Sequence, residues 1–229
     1  MLFLQRNEDN MEKYIEILKS TKLFYGVEDT DILTMTNCLN AQIKSYKKGD
    51  YVFRQGDILD CICIVLDGCV HIQSDDYWGN RTIISEINIA EMFSESYAVY
   101  GSTKALNDAV AVKDSVVAFF NVDRIMTVCS NGCRFHSMVT KNLLISLTHK
   151  NRMLIQKLTH ITKRSTREKL LSYLSSQSKI HNSNSFSIPF NRQQLADYLS
   201  VDRSAMSNEL CKMRDEGLIE FNKSDFTLL

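Results

Sequence analysis

Between Ile43 and Asn121 short apolar runs alternate with turn-forming clusters. Tyr51-Val52-Phe53, residues 62–65, Val70-His71-Ile72 and Thr82-Ile83-Ile84 are rich in β-branched and aromatic side chains. Lys48-Gly49-Asp50, Gln55-Gly56-Asp57, Asp67-Gly68 and residues 75–80 separate them. Strands at spacings of roughly 8–12 residues predict an all-β roll, barrel or sandwich. A last strand pattern, residues 109–121, closes this region. From Val122 to about Ile161 there is no proline and one glycine, Gly132, which predicts a long helix. Within it Thr140, Leu144, Leu147, Asn151, Leu154, Leu158 and Ile161 step alternately by four and three, the spacing of a heptad seam. Asn151 takes an a position, where a polar residue fixes register at some cost in stability. Such a seam fits a dimer interface; a single amphipathic helix lying on its own domain is the alternative. A second helical pattern covers residues 166–176. The polar stretch 177–187, just before Pro189, is predicted as a loop or hairpin tip.

Residues 190–221, FNRQQLADYLSVDRSAMSNELCKMRDEGLIEF, carry the most specific pattern. Asn191 is a good N-cap, and Leu195, Ala196 and Leu199 form an apolar face over two turns. The pattern breaks at Ser200-Val201, Asp202 caps again, and Met206, Leu210 and Met213 make the next face. Gly217 ends that helix. Residues 218–229 read as strand, turn and strand, with the tip at residues 222–225. Helix, short turn, helix and terminal hairpin make a winged helix-turn-helix. Its second helix has to enter a major groove, so its early outward positions must be small or polar groups that reach base edges. Arg203, Ser204, Ser207 and Asn208 occupy those positions, opposite Met206, Leu210 and Met213. Arg192 and Gln193 open the first helix, where backbone phosphates are usually held. An ordinary helical hairpin with a solvated face is the competing reading.

Charge sharpens this division. The 229 residues carry 27 Lys+Arg against 27 Asp+Glu. Residues 1–140 hold 13 basic and 19 acidic side chains, a net of −6, whereas residues 141–181 hold nine basic and one acidic, Glu168, a net of +8. The remaining 48 residues are at −2. A neutral total thus hides a basic middle, a stronger clue than the total; a solvated helix face that happens to be cationic is the alternative. With 44% hydrophobic residues the composition is that of a globular protein. The longest apolar run, residues 61–66, is far short of the ~20 residues of a membrane span. The first ten residues lack a secretory core. Seven cysteines at irregular spacing suit a reducing cytoplasm rather than a disulfide framework.

The residues so far quoted resemble those of the cyclic-AMP receptor protein/Fnr (Crp/Fnr) family of bacterial transcription factors, from about Leu18 to Leu229. LKSTKLFYGVEDTDILTMTNCL looks like the family's first helices, and YKKGDYVFRQGDILDCICIVLDGCVHI like the first strands of its effector-binding roll. RQQLADYLSVDRSAMSNELCKMRDEGLI looks like its helix-turn-helix. The resemblance implies an α+β fold: an N-terminal cyclic-nucleotide-binding-like β-roll with N-terminal helices (residues 1–122), a long dimerisation helix (123–162) and a C-terminal winged helix-turn-helix (163–229). It implies a cytoplasmic homodimer whose recognition helices each read half of a palindromic double-stranded DNA site. A small effector in the roll reorients them, and RNA polymerase is a candidate further partner. Leu144, Leu147, Asn151, Leu154, Leu158 and Ile161 would form the dimer interface.

The chain departs from the family at its effector site. Nucleotide-binding members grip the ribose with a Gly-Glu pair and the cyclic phosphate with an Arg-Ser or Arg-Thr pair. Here Glu95 fits the acidic position, but Ser94 replaces the glycine, and between Tyr97 and Ser115 only Lys104 and Lys113 are basic. A buried phosphate without a guanidinium lacks its main charge-assisted partner, so cyclic AMP is not the expected effector. Glu95 is a candidate contact or a surface carboxylate, and Asn151 and Arg152 are candidate contacts from the long helix. No cofactor or metal site is read from the sequence. The N-terminal cysteines of the iron–sulfur relatives and the Cys and His ligands of the haem relatives have no counterpart. Cys61, Cys63, Cys69, Cys129 and Cys133 are expected to be packed thiols, with a redox or metal role left open, and His71 keeps a haem option open. Many relatives carry Glu at the position of Ser204 and Arg at that of Asn208, so an altered half-site is expected. The alternative function is a roll module acting on a protein partner. No catalytic motif points to an enzyme.

Overall fold

The computed structural model describes residues 11–78, 81–101, 103–127 and 134–229. Cys129 and Cys133 lie outside them. The chain divides into two compact units, Met1–Thr148 and His149–Leu229.

The first unit opens with two short helices, α1 (Ile15–Ser20) and α2 (Asp29–Cys38). Eight strands follow: β1 (Gln42–Tyr46), β2 (Tyr51–Phe53), β3 (Cys61–Asp67), β4 (Val70–Asp75), β5 (Arg81–Ile87), β6 (Met92–Phe93), β7 (Asp108–Ala111) and β8 (Ser115–Asn121), with α3 (Glu95–Tyr100) between β6 and β7. They form two antiparallel four-stranded sheets, ordered β1-β8-β3-β6 and β2-β7-β4-β5. Strand β3 explains the apolar run that the sequence carries there. Its Cys63 and Val65 pack with Phe53, Val70 and Val117, while Ile62, Ile64 and Leu66 pack with Leu18, Leu23 and Phe24 of the helical layer. A strand buried on both faces has no polar alternation. The turn into β4 demands glycine: Gly68 has φ +91°, and a Cβ there would lie 2.6 Å from the Asp114 carbonyl oxygen and against Ser115 Oγ. Beyond β4, Tyr77 and Trp78 are almost fully exposed, and Ile83 and Ile84 of β5 are more than half exposed.

The helical stretch expected from Val122 is not one helix in the described residues. A short helix, α4 (Val122–Met126), is capped by Asn121, whose side chain accepts from the Arg124 N–H; it stops at Thr127, which is extended. The long helix, α5, runs Arg134–Ile161. Val139 and Leu143 face the first core, joined by the half-buried Leu147, and Asn142 donates to the Leu23 and Tyr25 carbonyls. Leu144, Leu154 and Leu158 are each more than half exposed.

The second unit contains α6 (Thr166–His181), α7 (Arg192–Leu199), α8 (Arg203–Asp215) and strands β9 (Ser185–Ser187), β10 (Ile219–Asn222) and β11 (Asp225–Leu228), the strands ordered β10-β11-β9. Helix α6 begins in a capping box between Ser165 and Glu168 and continues five residues past the predicted end, through QSKIH. It stops at Asn182, which is left-handed with φ 48°. The remaining polar residues make β9, which adds a third strand to the wing instead of forming a loop. Leu170, Tyr173 and Leu174 of α6 close a core with Leu195, Leu199, Met206, Leu210, Met213, Ile219 and Phe226.

Candidate nucleic-acid interface

Two capped helices and a three-residue break build the interface. Asn191 caps α7 and accepts from the Gln194 N–H, and the Gln194 side chain returns an acceptor to the Asn191 N–H. Ser200 leaves α7 in the left-handed region at φ 52°. Asp202 then caps α8, accepting from the Ala205 N–H at 2.8 Å. The end of α7 gains a further partner: Lys169 Nζ donates to the Leu199 and Ser200 carbonyls, both at 3.2 Å. Met206, Leu210 and Met213 are fully buried, which rolls Arg203, Ser204 and Asn208 outward into solvent. Ser207 is half-buried, and its hydroxyl donates to the Arg203 carbonyl. The early outward face is therefore made of short groups beside Arg203, as a helix entering a major groove requires, with the exposed Lys212 one turn beyond Asn208.

Arg192 and Gln193 are already engaged within the unit. The Arg192 guanidinium lies over Phe221 and Phe226 of the wing, 4.9 and 5.2 Å from the ring centroids, and its burial lowers its pKa. Gln193 Nε2 donates to Asp197 at 2.8 Å. Both nevertheless border a groove of about 540 Å³ with Asn191, Arg203, Lys223 and Ser224. That groove joins the starts of α7 and α8 to the tip of the wing. Lys223 was missed in the sequence because a lone lysine in a polar turn carries no periodic signal. Ala205, exposed beside Ser204, was missed because alanine reads as filler.

The basic middle is partly consumed inside the fold. Arg167 pairs with Glu209 at 3.3 Å and with Glu216, Lys169 caps α7, and Lys157 lies over the Tyr198 ring. Its net charge therefore overstates the cations that face solvent.

In the first unit Ser94 occupies the glycine position with φ 66°, a left-handed conformation that glycine adopts without strain. Its hydroxyl accepts from the Cys63 N–H at 3.2 Å and lies 2.8 Å from the Cys61 carbonyl oxygen. Glu95, next to it in the first turn of α3, is 6% exposed, so the surface-carboxylate reading fails. Asn151 and Arg152 are exposed on α5. A cavity of about 270 Å³ opens between β1, β2, β3 and β8, walled by Val52, Phe53 and Phe119 and edged by Lys44, Asp60 and Asn121. Cys61 and Cys63 line it, and burial pushes both thiols up to about 12, which keeps them protonated. Glu95 does not line this cavity.

No helix among the described residues is long and apolar enough to cross a membrane. Residues 43–131 match the cyclic nucleotide-binding domain family, and residues 168–229 match the Crp-like helix-turn-helix domain family. No curated protein sequence matches the chain. Among solved structures, the catabolite activator protein of Thermus thermophilus is 18% identical, covers 91% of this chain and 94% of its own, and has a TM-score of 0.50. The c-di-GMP-responsive global regulator CLP of Xanthomonas campestris is 14% identical over 85% of this chain and 97% of its own, at a TM-score of 0.51. CprK complexed with OCPA is 11% identical over 85% of this chain and 88% of its own, at 0.53. These likenesses show the shared fold. With a cyclic nucleotide-binding domain followed by a long helix and a Crp-like helix-turn-helix, the chain belongs to the Crp/Fnr family of DNA-binding transcription regulators.

Proposed function

We propose that the chain is a homodimeric, sequence-specific regulator that reads a palindromic DNA site under the control of a small effector other than cyclic AMP. Its parts are a β-roll domain (residues 1–122), a central dimerisation segment (123–162) whose long helix is α5, and a winged helix-turn-helix (163–229). The observation that carries the reading is the face of α8: Arg203, Ser204 and Asn208 point to solvent while Met206, Leu210 and Met213 are fully buried behind them. Arg203 and Asn208 read base edges, Ser204 and Ser207 lie close against the groove, and Arg192, Gln193 and Lys223 face phosphates. The exposed Leu144, Leu154 and Leu158, with Leu147, Asn151 and Ile161, supply the seam on which two copies pair. RNA polymerase is the further partner of the DNA-bound dimer.

Cyclic AMP is disfavoured because Ser94 fills the glycine position with a hydroxyl already bonded to β3, and no arginine lies between Tyr97 and Ser115. The fold accommodates other effectors, since CLP is c-di-GMP-responsive and CprK was solved complexed with OCPA. Glu95, Asn151 and Arg152 are the proposed effector contacts, and the effector biases the segment 162–165 between α5 and α6 by population shift.

The test is selection of the full chain against a random duplex library at two salt concentrations. A palindrome with half-sites about one helical turn apart is expected. Asn208→Arg is expected to replace adenine by guanine at one position of each half-site, because asparagine pairs bidentately with adenine and arginine with guanine. An unchanged consensus removes Asn208 from base reading. Failure to bind any duplex at low salt, with and without cell metabolites, overturns the proposal in favour of a module acting on a protein.

A further inference from the structure

The turn between β3 and β4 brings three metal-ligating side chains together outside both regions described above. Cys69 and His71 are two residues apart, so they share one side of the strand. Glu86 is the direct antiparallel partner of His71 across the β4–β5 ladder. Cys69 Sγ, a ring nitrogen of His71 and a Glu86 carboxylate oxygen all lie within 4.8 Å of one another. His71 Nε2 and Glu86 Oε2 are 3.1 Å apart.

The backbone beneath the thiol is fixed. The Cys69 N–H donates to Ser115 Oγ at 3.1 Å, and its carbonyl accepts from the Val112 N–H at 3.0 Å. Gly68, which no side chain can replace without striking residues 114 and 115, sets the approach. Exposure rises along the set: the Cys69 residue is buried, the His71 side chain is 18% exposed and that of Glu86 57%.

We infer that Cys69, His71 and Glu86 form a binding site for one divalent transition ion of the zinc type. One thiolate, one imidazole and one carboxylate are ligands zinc accepts, and three protein ligands leave the fourth position to water. Bonds of about 2.0–2.3 Å place tetrahedral ligand atoms roughly 3.3–3.7 Å apart, so no separation has to close by more than about 1.5 Å. On binding, the Cys69 thiol gives its proton to solvent and its sulfur bonds the metal, with no change of oxidation state. Burial and the Glu86 carboxylate hold the Cys69 thiol above its ordinary pKa, and the bound ion displaces that proton. The bound ion would staple the base of the β4–β5 hairpin through its side chains.

The experiment is titration of the chelator-treated, reduced full chain with Co²⁺ as a spectroscopic substitute, followed by displacement with Zn²⁺. One equivalent per chain is expected to produce a sulfur-to-cobalt charge-transfer band in the near ultraviolet, lost again on adding Zn²⁺. Cys69→Ser is expected to abolish the band, and the doubly substituted C129S/C133S chain to keep it. Glu86→Gln, an exposed substitution that does not threaten folding, is expected to weaken Co²⁺ by at least the 10–100-fold that even an outer-shell partner is worth. Absence of the band in the unaltered chain overturns the site. So does a band that vanishes only in C129S/C133S, or an affinity unchanged by Glu86→Gln.

Discussion

His160, near the end of α5, is 4% exposed in the second unit. Its Nδ1 lies 2.8 Å from Ser172 Oγ, and its ring meets Tyr173 edge-on at 5.7 Å. Burial, with the Lys163 charge behind it, holds its pKa below the ordinary value of 6.5. The folded state therefore prefers the neutral ring, whereas the unfolded chain takes up a proton as the pH falls through about 6.5. Stability from this group is complete above that value and is lost as the pH drops toward the folded-state pKa. Thermal melts between about pH 5 and 8 are expected to show a falling melting temperature on the acid side, with a flatter profile for His160→Gln. An identical acid slope in the variant would assign the loss to other groups. The sequence allowed His160 only a helix-face or core role; its bond to Ser172 crosses two helices and has no local spacing to announce it.

At the scale of the element, what the sequence expressed well was local chemistry. Asn191, Asp202 and Gly217 bracket α7 and α8 because capping depends on one to four neighbouring residues. The end of α6 was misjudged for the converse reason: Ser and Asn mark loops by composition, yet residues 177–181 have no true breaker, and the helix runs on to a left-handed Asn182. The stop of α4 at Thr127 was likewise invisible, as residues 122–127 contain neither proline nor glycine. Helix α5 also carries a cost if left alone, since Leu154 and Leu158 expose apolar surface worth about 1.5–3 kcal/mol each when buried. The double substitution Leu154→Glu/Leu158→Glu is expected to convert a dimer to a monomer in sedimentation, with each unit still folded by circular dichroism. Asn151→Leu is expected to tighten the dimer by removing the buried polar group.

For the whole molecule, the division of labour was legible and its boundaries were not. The turn-bounded apolar runs of the strands, the heptad spacing and the double-capped helices each belong to a separate stretch, so the order of parts followed from local pattern alone. The sheet pairing did not, because β1 pairs with β8 over some 70 residues of intervening chain. The cavity edged by Lys44, Asp60 and Asn121 was equally hidden, as it draws on three distant segments. Each unit encloses its own apolar core, and Leu210, fully buried, belongs to the second alone. Leu210→Ala should cost about 2–5 kcal/mol. Hydrogen exchange is expected to show the lost protection in residues 163–229, with the strands of the roll unaffected; uniform loss would mean the units unfold as one.

Trp78, the only tryptophan in the chain, stands at 82% exposure beyond β4, with Tyr77 edge-on to its ring at 5.9 Å. Its indole is bathed in solvent in the folded protein, much as in the unfolded chain. Emission from this fluorophore is thus a poor thermometer of folding, and a melt followed by it alone would understate every transition in the helix-turn-helix. The same isolation makes it a clean reporter of its own neighbourhood. A change in its colour or anisotropy on adding a ligand marks an event at that hairpin, with no second indole to confuse the signal.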